Sequence, residues 1–385
     1  MKHSLTYYKK VHDTLRPLAK VWLRTLFRLE KPVAETLPDH FLLISNHVTN
    51  FDAFIISVLT KRQMFFVATE HIFSLGLASK VITGLMAPIP RPKGGQAAGA
   101  VMEILRTLKD GGSVGLFAEG NCSWDGLSAE FASSTGKMVR ASGAALVTCR
   151  IEGGYFAFPR WAYEGRKGPV GLRITGIWEP EELKKMKPAD INKLIEEGIR
   201  EDAYETRERK GARYPGSHLA EGLENALLVC PCCHGFDTLT SSGNRFSCRC
   251  GLEGTLDETG CLHMKDSDFK TIKDWNRWQI RYLAELPPQD LPIAKDPAMK
   301  LLKIVGHQRL QTATGDLRMD AQTLSLGDFT VPVQDIVSLD VRLRGTVSFL
   351  TRNGEYYEIK PQQKKGRYHG RKYQLLYRSL QGKSL

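Results

Sequence analysis

The sequence predicts an α/β domain with a mostly parallel sheet, then a small cysteine-rich unit, then an antiparallel β domain closed by a helix. Three observations carry this expectation. Apolar strand-like runs alternate with helical stretches between residues 33 and 220. Five of the eight cysteines crowd into positions 230–250. From residue 300 onward, short alternating segments separated by turn residues replace that pattern. At 385 residues the chain exceeds one ordinary core, so several domains are expected.

The bulk composition narrows the class. With 42% hydrophobic and 25% charged residues, the chain is neither disordered nor a polytopic membrane protein. Its formal net charge of +12 suits anionic partners. No window reaches the ~18 uninterrupted apolar residues of a spanning helix. Arg16, Lys20, Arg24 and Arg28 break every early apolar run, and no cleavage site follows, so no signal peptide is read. The expectation is a cytoplasmic protein, peripheral on the inner face of a membrane.

Residues 1–32 supply the first reason for that placement. Tyr8, Val11, Leu15, Leu18, Trp22, Leu26 and Leu29 fall at helical spacing, flanked by Lys9, Lys10, Arg16, Lys20, Arg24 and Arg28. A basic, tryptophan-bearing amphipathic helix can lie in an anionic lipid interface; the same stripe could equally pack on its own core. In 33–220, strands are expected at Phe41–Ser45, 65–68, 114–118, 145–150 and 170–175, with helices such as 52–59 and 97–108 between them. The charged stretch 181–213 reads as a helical annex leading to a linker. Residues 225–262 hold the cysteine cluster, and 263–299 contain a helix stopped by Pro287-Pro288. Residues 300–385 read as strands at 317–326, 330–333, 337–343, 346–351 and 356–360, with Arg352-Asn353-Gly354 as a hairpin turn and a final helix near 371–380.

The first chemistry-bearing motif is Ser45-Asn46-His47-Val48-Thr49-Asn50-Phe51-Asp52, an HxxxxD pattern between a strand and a helix. Asn50 can cap the helix, and a turn can fold the Asp52 carboxylate back onto one imidazole nitrogen. That fixes the tautomer and frees the other nitrogen as a general base, with a substrate hydroxyl where a protease has its serine. Alone, the pattern is weak, since His and Asp five apart arise often by chance.

The second motif, Phe117-Ala118-Glu119-Gly120-Asn121-Cys122-Ser123, follows the strand at 114–118. With HxxxxD upstream, with Ala87-Pro88-Ile89-Pro90-Arg91-Pro92-Lys93 between them, and with 131–137 and 143–147 downstream, the ordered set resembles the glycerolipid acyltransferase family over roughly 33–210. The resemblance implies an O-acyltransferase. Its donor is an acyl-coenzyme A or acyl-carrier-protein thioester, and its acceptor a lysophospholipid, 1-acylglycerol-3-phosphate first among them, in phospholipid biosynthesis. It implies His47 and Asp52 as the catalytic dyad, and Glu119 and Gly120 in the acceptor pocket. It places Arg91 on the acceptor phosphate, a geometry that guanidinium suits, with Lys93 and Lys137 as weaker candidates. Backbone amides near Gly120 or His47 are candidates for the oxyanion.

Two departures stand out. The family's proline is Ala118, a mild change, and its arginine is Cys122. Either Arg91 and a lysine suffice for phosphate or the head group differs. In a third reading Cys122 is an acyl-carrying nucleophile activated by His47, although the family mechanism does without one.

The cysteines Cys230-Pro231-Cys232-Cys233 and Cys248-Arg249-Cys250 resemble the two knuckles of a zinc ribbon. Structural zinc on Cys230, Cys233, Cys248 and Cys250 is expected, with Cys232 or His234 as substitutes because the second knuckle is one residue short. The C-terminal β segment looks like a pleckstrin-homology-type barrel. Its basic end, from Lys360 through Lys383, is read either as a membrane-facing surface or as a solvated tail. A ribbon with a basic tail also fits a non-catalytic nucleic-acid-binding or lipid-binding protein; the intact His47, Asp52, Glu119 and Arg91 weigh against that alternative.

Overall fold

The computed structural model describes residues 3–69, 84–91, 97–265, 267–306, 308–342, 344–363 and 368–382. The chain forms two units: Met1–Pro159 with Gly165–Gly216, and Arg160–Glu164 with Ser217–Leu385.

The first unit is built in the order α1 (Leu5–Leu26), β1 (Arg28–Leu29), β2 (Phe41–Ser45), α2 (Asp52–Thr60), β3 (Phe65–Thr69), β4 (Ile89–Arg91), α3 (Ala97–Lys109), β5 (Val114–Phe117), α4 (Thr135–Ser142), β6 (Ala145–Glu152), α5 (Gly154–Ala157), β7 (Pro169–Trp178), α6 (Pro180–Lys185), α7 (Pro188–Ile199) and α8 (Ala203–Lys210). The sheet order is β1-β7-β6-β2-β5-β3-β4, and every neighbouring pair is parallel except β6 with β7. All five residues of β2 are buried, as an apolar strand between two helical layers requires. Phe41 and Leu43 point to one layer with Leu23, Phe27, Ile55 and Leu59. Leu42 and Ile44 point to the other, with Ile104, Val139, Ile191 and Ile195. The period of two thus divides one strand between two cores.

Two expectations change here. The segment 181–213 is no annex: Leu183, Ile191, Ile195 and Ile199 are buried in the second layer, because the apolar spacing of α7 makes one helical face. The α1 stripe also divides. Of its members Tyr8 is buried, whereas Leu15 is 37%, Leu18 66% and Trp22 42% exposed; off the stripe, Leu23 is buried and Val21 is 64% exposed.

In the second unit, β8 (Leu239–Ser242), β9 (Arg245–Cys248), β10 (Glu253–Leu256) and β11 (Leu262–Met264) form an antiparallel sheet. Helix α9 (Ile272–Glu285) closes over the segment that leads into Cys230. Gln279 Oε1 accepts from the Leu228 and Val229 amides at 2.8 and 3.2 Å, and Trp275 Nε1 donates to Val229 O at 2.8 Å. Then β12 (Ala294–Val305), β13 (Gln308–Met319), β14 (Thr323–Leu326), β15 (Phe329–Pro332), β16 (Ile336–Arg342), β17 (Thr346–Thr351) and β18 (Tyr356–Pro361) make an antiparallel sheet of order β15-β14-β13-β12-β18-β17-β16. Helix α10 (Arg371–Leu380) buries Tyr373, Leu375, Leu376 and Tyr377 against it. The long β12–β13 hairpin was not legible, because much of β13 is exposed and carries no apolar alternation. The run 317–326, read as one strand, is two strands around a turn at 320–322, and the Asp320 carboxylate accepts from the Gln322 and Thr323 amides.

The basic C-terminus is corrected as well. Arg371 and Lys372 are each 2% exposed. Arg371 donates to Ala226 O at 2.6 Å and to Asn276 Oδ1 at 2.7 Å, and Lys372 Nζ sits between Asp237 and Asp296 at 2.8 and 2.9 Å. Lys360 pairs with Glu358 at 2.9 Å. These three cations face protein acceptors; Lys364, Lys365, Arg367 and Lys383 lie outside the described residues.

Candidate active site

Parallel pairing of β2 with β5 puts Ser45 opposite Phe117. Their chains therefore leave the sheet side by side, His47 two residues after one and Glu119 two residues after the other. This is the carboxyl end of neighbouring parallel strands, where open α/β sheets carry their ligands.

Buried Asn46 anchors the first chain: its side-chain nitrogen donates to Ile151 O at 3.1 Å and its oxygen accepts from Ile151 N at 2.8 Å, tying the end of β2 to β6. His47 follows with 22% of its side chain exposed, stacked on the Phe117 ring at 4.4 Å between centroids. Asp52 Oδ2 lies 2.7 Å from His47 Nδ1. The same carboxylate accepts from Val48 N at 2.7 Å, Thr49 N at 3.0 Å and Thr49 Oγ1 at 2.6 Å. Asp52 is 1% exposed. A buried carboxylate is sustained by such a set of donors, and its position in the first turn of α2 adds the helix dipole. The expected Asn50 cap is not formed: the N-cap residue is Phe51 without a side-chain cap bond, and Asp52 binds the preceding amides instead.

The second chain turns at Gly120, whose φ of +74° is the left-handed conformation that favours glycine. Arg91, at the end of β4, brings Nη1 to 3.2 Å from where a Cβ on Gly120 would stand, so any side chain there would crowd the guanidinium. Glu119 accepts from Ala129 N at 3.0 Å. Burial pushes its carboxyl up to about 8, against the pull of the Ala129 amide and of His47. Ser123 N donates to His47 O at 2.9 Å and staples the two chains together. That staple sets Cys122 Sγ 3.4 Å from His47 Nε2. Burial pulls the His47 pKa down, but Cys122 and Asp52 outweigh it and hold the imidazole well above its ordinary value.

The structure thus gathers His47, Asp52, Glu119, Gly120 and Arg91. Lys137 lies exposed on α4, and Lys93 lies outside the described residues. One of the amides offered for an oxyanion is engaged, Gly120 N with Phe117 O at 3.1 Å. Sequence reasoning missed Asn46, Thr49 and Phe117; the polar pair Ser45-Asn46 at the end of a fully apolar strand was the available signal for the first. Away from this site, the sulfurs of Cys230, Cys233, Cys248 and Cys250 all lie within 4.8 Å of one another.

Residues 28–152 match the family model described as Acyltransferase. The α/β unit is accordingly acyltransferase-like over those residues. Among solved structures it is similar to the 1-acyl-sn-glycerophosphate (LPA) acyltransferase PlsC from Thermotoga maritima, at 20% identity, with 56% of this chain and 86% of that chain covered and a TM-score of 0.45. No curated protein sequence matches the chain.

The His47 environment gives a direct test. By NMR of labelled histidine, His47 should titrate above the ordinary imidazole range. Asp52→Asn and Cys122→Ala should each lower its midpoint, because each removes a partner that holds the His47 pKa up. Midpoints unchanged in both variants would rule these partners out as its cause.

Proposed function

We propose that the protein transfers a fatty acyl group from a coenzyme A or carrier-protein thioester to the hydroxyl of a lysophospholipid, 1-acylglycerol-3-phosphate being the acceptor that the site suits best. The observation that carries the reading is the His47–Asp52 pair at the end of β2 inside an acyltransferase domain. In this reading Asp52 orients His47, whose Nε2 serves as general base for the acceptor hydroxyl, worth typically about 10²–10⁴-fold. Arg91 holds the acceptor phosphate beside Gly120, with Lys93 and Lys137 as auxiliary cations. Glu119, neutral up to about pH 8 by its burial, orders the 128–129 backbone and presents a polar edge to the glycerol.

The four clustered cysteines are proposed as a structural zinc site. Support comes from the spacing. A tetrahedron with Zn–S bonds of about 2.3 Å has S···S edges near about 3.8 Å. Cys230–Cys250 and Cys233–Cys248 measure 3.7 and 3.8 Å. Zinc there would brace the ribbon and supply no step of the transfer. The seven-stranded sheet with its closing helix is read as a pleckstrin-homology-like barrel on its strand order, two meanders joined through β12 and β18.

No helix among the described residues is long and apolar enough to cross a membrane. Helix α1 is proposed as the bilayer contact. Its exposed Leu18, Val21 and Trp22 extend toward the active-site loop, Trp22 meeting Phe51 and Phe54 edge-on at 5.5 and 5.6 Å. Lys9, Lys10 and Arg24 flank them, exposed.

In acyl-transfer assays over a panel of lyso-acceptors, His47→Ala should lose at least about 10²-fold in turnover with its melting curve unchanged. Wild-type rates in the folded variant would sink the general-base role. Arg91→Ala should raise KM for a phosphate-bearing acceptor more than for the donor. Metal analysis of protein purified without chelators should give one zinc per chain, and Cys233→Ser should unfold the ribbon while leaving the α/β unit folded; metal-free folded protein would count against the site. Binding to anionic vesicles should weaken as the Debye length falls from about 10 Å at 0.1 M salt to about 3 Å at 1 M, without vanishing. Trp22→Glu should remove most of the salt-resistant part; full retention would return α1 to a purely structural role.

A further inference from the structure

We propose that Cys122 is a catalytic nucleophile that carries the acyl group as a thioester before the acceptor takes it, with His47 as its proton partner and Asp52 as the positioning residue. The inference rests on the acyltransferase reading and adds a covalent step to it.

The geometry is that of a nucleophile, a base and an orienter. Asp52 holds Nδ1 of the ring at 2.7 Å, and Cys122 Sγ stands 3.4 Å from the opposite nitrogen. Backbone bonds place the thiol there. Gly120 N is tied to Phe117 O at 3.1 Å and Ser123 N to His47 O at 2.9 Å, which brackets Cys122 within the turn. Cys122 is half-buried, so a donor thioester can reach it. Cys149, by contrast, is fully buried and its thiol is pushed up to about 12 by that burial, the inert condition of a structural cysteine.

The position of the sulfur also bears on the direct route. A hydroxyl activated by His47 must hydrogen-bond to Nε2, and the sulfur lies where it would bind. A cysteine and a histidine so placed match the Cys–His pairs in which the imidazole takes the thiol proton as the sulfur attacks.

The two steps balance. His47 takes the Cys122 proton as the sulfur attacks the donor carbonyl, forming the Cys122 S–C bond and breaking the donor S–C bond. The His47 imidazolium so formed protonates the departing thiolate, which leaves as free thiol. The now neutral imidazole takes the proton of the acceptor hydroxyl as its oxygen attacks the Cys122 thioester. The ester departs, and His47 returns the proton to the Cys122 sulfur. Exchange between thioesters keeps the acyl group activated, so the first step needs no further energy source.

The test uses the full-length protein with palmitoyl-coenzyme A and no acceptor, and in a second arm with palmitoyl-acyl carrier protein. Acid quench, intact-mass measurement and peptide mapping should find one palmitoyl group on Cys122, labile to neutral hydroxylamine, with a burst of about one equivalent of free thiol per chain. Adding a lysophospholipid should chase the label into product at the turnover rate. Cys122→Ala should abolish the burst and lower turnover at least about 10²-fold. His47→Ala should abolish the burst with Cys122 still present, a result that a purely structural role for the thiol would not give. Product formation by the parent enzyme with no acyl-Cys122 and no burst overturns the covalent step while the acyltransferase reading stands. So does wild-type turnover in Cys122→Ala, or a label that fails to chase. No product with any acceptor and no adduct with either donor overturns both.

Discussion

The site depends on one pairing, the parallel register of β2 against β5. Because Ser45 faces Phe117, the two chains that leave the sheet are neighbours, and a single backbone bond from Ser123 to His47 O joins them. Everything reactive is placed relative to that bond. His47 hangs from one chain, Glu119, Gly120 and Cys122 from the other, and Phe117 forms the floor on which the imidazole stacks. Strands buried on both faces permit no slippage, since a shift of one residue would exchange the Phe41/Leu43 core for the Leu42/Ile44 core. The rigidity of the sheet is thus transmitted to two short loops.

Within that frame Asp52 is an electrostatic pivot. A carboxylate at 1% exposure is costly unless its oxygens are satisfied. Here two backbone amides, a threonine hydroxyl and the His47 ring share it. The amides fold the 48–49 turn around the carboxylate, so the charge that favours the imidazolium also fixes the backbone carrying His47. Glu119, a few residues along the other chain, has fewer donors and its pKa is driven upward instead. Two carboxylates near one histidine thus differ in their hydrogen-bond supply, Asp52 held by several donors and Glu119 by the Ala129 amide.

Legibility in the sequence followed periodicity. The buried strands and α2 were readable to within two residues where apolar runs are uninterrupted, and HxxxxD with the Glu119-Gly120 motif located both loops. What was not readable depended on tertiary contact. The role of Asn46 exists only because Ile151, far along the chain, lies beside it. The placement of Cys122 at Nε2 needs the Ser123 staple. The long β12–β13 hairpin lacked an apolar face to announce it, and α7 was judged by its charges when its isoleucine spacing was the better guide.

Charge is the property that composition misreported most. The excess of +12 suggested a basic surface at the C-terminus. Yet several cations of the second unit lie inside. Lys372 is held by Asp237 and Asp296, Asp237 also takes His369 at 2.7 Å, and Arg371 bonds to the chain just before the cysteine cluster. Arg342 and Lys360 both reach the 1%-exposed Glu358, at 2.9 Å each. Such buried networks fix how α10 and the strands pack; they project little field into solvent. By contrast, Lys9, Lys10 and Arg24 of α1 are exposed, beside the exposed Leu18, Val21 and Trp22 of the same helix. Charge and apolar surface thus meet on one element, which through Trp22 also touches Phe51 and Phe54 next to Asp52, and the bilayer contact proposed for α1 would fall at that edge of the first unit.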